Sequence, residues 1–573
     1  MTERIPLVSV PYAGQSVISS GQECVNLYAE SVANIDPQAP TPVTYYPTPG
    51  TKLFGRNPEY IYPSRGMYRT SRGTAYFVVE QQVYSVGLDG TLTIIGIIAN
   101  RPSRVYMKDN GLVVVLVDGV NGYVIDIVSN AFAQIIDPNF LGADFVELLD
   151  TFFIFNVPET NLFYISLSNS NYGMLTNTAI ESGTITNAGS SYIDGIYIDV
   201  PLTGGSGSDA RANITITGNV ITGVSISNPG INYIVGDNLS VNNIDVGGAG
   251  SGFVWTIGGM ASAFDPLDIA AKSGFNDPIM SIISVHRELW LIGNLTSEVW
   301  IGTGAADFYF QQVQGAYINH GTVARYSVSS QDILTFFLQQ DMQGNGLVLQ
   351  GQGYDVVEIS TPRLVKEFKS YPTIEDAIGF CYQVSDHSFY ELIFPSANKG
   401  WIYDLTVKQW SEKSWMDENG NLNRPRENMC MLFNGMLLVG DWETGNLLQL
   451  DVNINTDYTN ENPTCTIPRI RTFPHSIDNN ERIIYNSFDA DITVGTILNQ
   501  EINPMISLSW SDDRGVSYNN PIMQSMGRTG KFYTTVTWNR LGYARDRVYK
   551  LSWSEDLNCA LNGGFSRRTP ART

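Results

Sequence analysis

Four histidines, five cysteines and a surplus of carboxylates make up this chain's stock of groups for metal, nucleophile or acid–base chemistry. His286, His320, His387 and His475 are scattered, with no HExxH and no His–Cys pairing at ligand spacing, so no metal site is expected. Cys24, Cys381, Cys430, Cys465 and Cys559 lie far apart, form no CxxC and are odd in number. Neither a disulfide framework nor a zinc site follows from that pattern, and a reducing compartment suits it. There is no GxSxG elbow and no GxxxxGK[ST] phosphate loop, and "GQGYDVVEIS" lacks the glycine spacing of a dinucleotide fingerprint. Catalytic, cofactor-binding and metal-binding residues are therefore left unassigned, and no cofactor is expected.

Carboxylates are the exception, being plentiful: Asp150, Glu298, Asp341, Glu358 and Asp404 are examples. Two of them set across a pocket would make a glycoside hydrolase, and an added arginine cluster would suit sialic acid. Most sit beside turns or at strand ends, where a carboxylate ordinarily accepts backbone N–H groups. Lysine and arginine number 34 against 56 acidic residues, a formal charge of −22. Tight binding of a phosphate backbone needs cations that displace counterions, so this balance argues against a DNA-gripping protein. The same charge keeps a protein soluble.

The elements that would position any site read as short strands. Apolar residues make up 43% and charged residues 16% of the 573, enough for a sizeable core. "TAYFVVEQQVYSVGLDGTLTIIG" (74–96) reads as strand, turn, strand, Asp-Gly turn, strand, and "GLVVVLVDGVNGYVIDI" (111–127) repeats the theme. "DTFFIFNVPETNLFYISL", "HRELWLIGNLTSEVWIG" and "GMLLVGDWETGNLLQLD" do so again. Many small antiparallel units sharing a style are what a β-propeller needs, because its blades bury their faces against one another around an axis. The expected fold is all-β, a β-propeller body with an inserted small Gly-rich all-β repeat module. The start lacks the apolar stretch of a signal peptide, and the longest aliphatic runs, such as Leu112 to Val117, are strand-sized, so neither export by the usual route nor membrane insertion is expected.

Five divisions follow. Residues 1–60 form an extended Pro-rich N-terminal strap, with five prolines between Tyr28 and Gly50. Such a ribbon loses little entropy on docking, and it either closes its own ring by completing the final blade or clasps a neighbouring subunit. Pro47, Pro49 and Gly50 are expected to set its turn. Residues 61–181 form the first propeller blades, 259–455 further blades, and 456–573 the C-terminal blade or blades. Trp300, Trp401 and Trp410 are assigned to blade packing. In the last division, Ser511, Asp513, Gly515 and Tyr518 fit the spacing of an Asp-box turn, with Asp513 and Gly515 in structural roles. Between the two propeller stretches, residues 182–258 lose most of their charge and repeat. Ile185, Asn187, Gly189, Tyr192, Gly195 and Val200 each recur 41 residues later, and "GGSGS" and "GGAGS" follow. Alternating Ile and Val with turn-forming glycines indicate a small duplicated β module.

Several stretches also carry a family resemblance. "CVNLYAES" followed by "PVTYYPTPGTKLF" resembles the opening of the packaged-DNA stabilisation proteins, or tail nozzle proteins, of short-tailed bacteriophages. "ELWLIGNLTSEVWIGTG", "YINHGTVARYSV", "DHSFYELIFPSANKGWIYDLTVKQWSEKSW" and "WNRLGYARDRVYKLSWS" are similar to that family in order and spacing. The resemblance implies a non-enzymatic virion protein with a propeller body, assembled in the bacterial cytoplasm and located in the tail. It implies self-association into a ring, typically a hexamer, below the portal and its adaptor, with tail needle, spike or fibre proteins as further partners. DNA would pass through the ring without specific binding. The Gly-rich module departs from the family's simplest form; it would project outward to hold a tail component or a host glycan, or act as a spacer. The alternatives are a carbohydrate-binding or glycoside-hydrolase/sialidase-like propeller, and a protein-recognition scaffold of the host cytoplasm.

Overall fold

The computed structural model describes residues 3–7, 21–31, 43–58, 63–305, 307–494, 503–527 and 534–571. Pro37, Pro40 and Pro42 of the expected strap lie outside the described residues. Among the described residues, seven four-stranded antiparallel blades lie within residues 64–451, the last completed by Gly50–Gly55. Six are separate sheets, and the sixth in order supplies four strands of a ten-stranded sheet. Their first strands are Ser64–Arg69, Tyr106–Asp109, Val146–Leu149, Ile279–Val285, Ser329–Gln331, Ile378–Val384 and Glu427–Phe433. Each neighbours the next, and Glu427–Phe433 returns to Ser64–Arg69, so the circle closes. The second strands are the apolar ones, Val113–Val117 among them with every side chain buried. A strand buried on both faces reads as a continuous β-branched run, which is what packing between two blades requires.

The seventh blade takes its outer strand from the beginning of the chain. Gly50–Gly55 pairs antiparallel with Leu447–Asp451, from Gly50 opposite Asp451 to Gly55 opposite Leu447. The segment therefore closes its own propeller. Gly50 is required by close approach, since a Cβ there would lie 2.4 Å from the Thr456 carbonyl oxygen. Pro47 ends the strand Val43–Pro47, and Thr48 N–H donates to the Asn26 carbonyl at 3.0 Å, so Pro47 to Gly50 form the crossing into the propeller.

Residues beyond 465 are not further blades. They form a two-sheet sandwich whose missing strands come from the chain start, correcting the expectation of C-terminal blades. One sheet holds Leu27–Ser31, Val43–Pro47, Cys559–Pro570, Ile483–Val494 and Thr534–Asn539; the other holds Cys24–Val25, Arg469–Thr472, Asp546–Trp553, Met505–Ser511 and Ile522–Ser525. Leu27, Tyr45, Phe488, Trp538, Tyr549 and Trp553 share the core between them. Two strands of 12 residues each are too long for a blade and long enough to span a sandwich. The Asp-box turn therefore belongs to the sandwich. Val25 pairs in parallel with Glu412 on the outer strand of the sixth blade, fusing the two bodies through one sheet.

The repeat module is a six-stranded sheet over Ile180–Met260, inserted between the third and fourth strands of the third blade, Leu162–Ile165 and Ile269–Ala271. Its pairings have an internal two-fold relation. Ile180–Ser190 pairs with Ser251–Met260 as Val220–Asn228 pairs with Arg211–Thr217. Gly195–Gly204 pairs with Arg211–Thr217 as Asn238–Val241 pairs with Ser251–Met260, and the two equivalents pair with each other. Tyr192 and Tyr233 occupy equivalent buried positions. Each ring is held by glycines of both repeats: a Cβ on Gly189 or Gly250 would lie 2.6 or 2.2 Å from Tyr192, and one on Gly230 or Gly207 would lie 2.7 or 2.5 Å from Tyr233. Gly250 also has a φ of +97°, which side chains avoid. Gly250→Val is expected to displace Tyr192 and destabilise the module by about 2 to 5 kcal/mol. Limited proteolysis should then cut within 180–260 while the propeller survives; an unchanged digestion pattern would contradict this packing.

Candidate functional site at the propeller axis

Three basic residues gather where the first strands of the blades begin. Arg65, Arg104 and Arg325, from the first, second and fifth blades, line a cavity of about 400 Å³ with Tyr326, Asp376 and Asn428. Arg65 is 5% exposed and fully engaged: its Nε donates to the Ser103 carbonyl at 2.8 Å, and its Nη1 to the carbonyls of Glu80 and Ala99. It ties the loop between the first two blades, with its Nη2 reaching the Ser103 hydroxyl at 3.5 Å. Arg325 meets Asp144 of the third blade at 3.3 Å. Arg104 differs. Its Nη2 donates to the Asn428 carbonyl at 2.9 Å, its guanidinium lies 5.9 Å from the Tyr326 ring centroid, and its Nη1 is buried without a hydrogen-bond partner. Burial lowers its pKa from the ordinary arginine value.

A second polar centre lies where the sixth and seventh blades meet the crossing strap. Lys413 Nζ donates to Glu391 Oε2 at 2.9 Å and to Glu427 Oε1 at 2.7 Å, with all three residues buried. Burial, aided by Glu427, pushes the Glu391 carboxyl up to about 7. Asp457, which accepts from Thr51 of the strap at 3.1 Å, is likewise pushed by burial up to about 7. Arg426 pairs with Asp441 at 2.7 Å nearby. The cluster can hold three elements in register, because each charge is satisfied only while the others stay in place.

The carboxylates singled out in the sequence are not brought together. Asp150 pairs with Arg287, and the fully buried Glu298 accepts the N–H groups of Ser273 and Gly274 and the Trp300 indole. Asp341 caps the turn through Gln343 and Asn345, Glu358 accepts from Ser360, and Asp404 caps Thr406 while holding His387 at 2.6 Å. The Asp404 hydrogen bond raises the His387 pKa. His475 meets Asp546 and His320 meets Gln339, while His286 sits in an exposed turn. Among the described residues, no group of three or more His, Cys, Asp or Glu side chains could hold a metal ion. No described helix is long and apolar enough to cross a membrane.

The remaining singled-out residues serve packing and turns. Trp300, Trp401 and Trp410 are buried, with their indoles donating to Glu298, to the Tyr371 hydroxyl and to the Ile359 carbonyl. Asp513 accepts from Ser511 and Ser517, bonds that hold its pKa down at about 2, and Gly515 turns with a φ of +90°. Sequence reasoning missed Arg104 and Lys413. Arg104 precedes the strand Tyr106–Asp109 and Lys413 follows the strand Gln409–Glu412, each with other charged residues a few positions away, so neither leaves a local signal.

A propeller whose polar centres brace blades defines a scaffold, and comparison with known families gives its class. Residues 248–455 match the family described as Bacteriophage P22 Gp10, beta-propeller, and residues 469–567 match that described as Bacteriophage P22 Gp10, beta-sandwich. The chain is a bacteriophage structural protein with β-propeller and β-sandwich domains. No curated protein matches it by sequence. Similar solved structures include S. cerevisiae Dbp5 bound to Nup159 and Gle1, at 11% identity and a TM-score of 0.30, covering 70% of this chain and 96% of that one. Others are the Neurospora crassa Pan2 WD40 domain, at 7% identity and 0.29, covering 68% and 89%, and the AfRom2 CNH domain, at 5% and 0.28, covering 70% and 99%. At such scores the likeness assigns nothing about function.

Proposed function

We propose that the chain is a subunit of the phage tail nozzle. Several copies form a ring below the portal and its adaptor, close the head after packaging, and line part of the DNA exit channel. One observation carries the reading: matches to both the propeller and the sandwich of the P22 Gp10 family stand in order along one chain. The structure supports it mechanically, since a conduit subunit must resist internal pressure, and here the sandwich and propeller share a sheet and a strap. The formal charge of −22 suits a wall that lets DNA slide, because a duplex is repelled rather than gripped by carboxylates. Assembly in the host cytoplasm, and contacts with the adaptor and with needle, spike or fibre proteins, belong to the same reading. The five carboxylates named for the glycosidase alternative lie apart, each with its own local partners, and this favours the nozzle reading over it.

Interrupting the gene in the phage tests this. Heads that package DNA and then lose it, with no infectious particles, are the expected result. Particles that retain their DNA and infect normally would overturn it.

A further inference from the structure

We propose that the axial cavity is a binding site for a carboxylate, held by the Arg104 guanidinium. Arg104 is the arginine of the cavity with a buried donor left without an acceptor: Arg65 is held by three carbonyls, and Arg325 faces the Asp144 carboxylate. Among the described residues no carboxylate comes within ion-pair distance of Arg104, and its Nη1 is buried without a partner. A guanidinium out of water and without an anion is costly, and it regains most when a charged acceptor arrives on its planar edge. The cavity is open enough for one, with Pro63, Pro102 and Glu375 exposed around it.

The neighbouring acceptors narrow the ligand. Asp376 Oδ1 and Asn428 Oδ1 are also buried without partners, and Asn428 is 8% exposed. A dianion such as phosphate would face the Asp376 charge, whereas a monoanionic carboxylate puts less charge against it. A carboxylate that carries an N–H close by would satisfy Arg104 and one of these acceptors together. That combination is found at the carboxyl end of a polypeptide, and a bare carboxylate such as an acidic side chain offers only half of it. This inference does not depend on the nozzle reading.

Thermal unfolding of the full chain with acetate, N-acetylglycine or acetamide, at matched ionic strength, tests it with known probes. N-acetylglycine is expected to raise the melting temperature with a midpoint at least tenfold lower in concentration than acetate, and acetamide to do nothing. Equal midpoints for acetate and N-acetylglycine would keep the carboxylate site but overturn the chain-end assignment. Arg104→Met should shift either midpoint at least tenfold upward, and Arg104→Lys should recover part. No carboxylate response in the wild-type protein, or an equal response to acetamide, would overturn the proposal and leave the cavity to ordered water. The acetate–acetamide contrast is read on wild-type protein, so a poorly folding variant cannot hide the answer.

Discussion

A chain lacking residues 1–55 is expected to be insoluble or to unfold without cooperativity, although every blade from the first to the sixth keeps its own four strands. The truncation removes the outer strand of the seventh blade and leaves Leu447–Asp451 as an unpaired edge, a template for aggregation. It also removes Leu27 and Tyr45, both fully buried in the sandwich core, each worth about 3 to 5 kcal/mol by the cost of large core deletions. Against a domain margin of about 5 to 15 kcal/mol, that is most of the sandwich's stability. The soluble fraction after expression and the melting curve check it; a soluble chain with unchanged melting would show that the strap is dispensable.

Lys413→Met is the second large effect. It leaves Glu391 and Glu427 facing each other in the core with no cation, and breaking a buried pair from one side costs about 3 to 5 kcal/mol. The pH dependence gives the effect a signature. Burial already raises the Glu391 carboxyl to about 7, so between its ordinary value of 4.5 and 7 the folded protein holds a proton that the unfolded chain releases. Stability contributed by that proton is full below 4.5 and is lost as pH rises through 7. Without Lys413 the Glu391 carboxyl rises further, so the variant should melt near the wild type at pH 5 and fall increasingly below it toward pH 8. Glu391→Gln in the same background should restore much of the pH 8 loss. A deficit independent of pH would mean that Lys413 acts by packing its stem alone.

The hairpin character of the propeller was legible because its strands are short and apolar on alternate or successive positions, and several are bounded by turns such as Asp89-Gly90, Asp118-Gly119 and Asn434-Gly435. The count of blades was not, for two physical reasons. The module splits the third blade between Leu162–Ile165 and Ile269–Ala271, and the seventh blade borrows Gly50–Gly55 from the far end of the chain. Neither partnership leaves a local trace. The last division was read as a further blade or blades alongside an Asp-box turn at Ser511 to Tyr518, a hairpin device that does not tell a blade from a sandwich; the 12-residue strands Ile483–Val494 and Cys559–Pro570 do. The duplicated module was readable from its repeat, because Gly189, Gly230, Tyr192 and Tyr233 must keep their spacing for each ring to reach its glycines. Arg104 and Lys413 escaped since what makes each unusual is the set of neighbours brought by other blades.

An electron cryo-microscopy reconstruction of the intact virion tail tests the central claim most directly. The account predicts a ring beneath the portal and adaptor into which copies of the seven-bladed propeller and its fused sandwich fit as rigid units. A tail ring with no density for a seven-bladed propeller, while this chain is abundant in the infected cell and absent from purified particles, would contradict it.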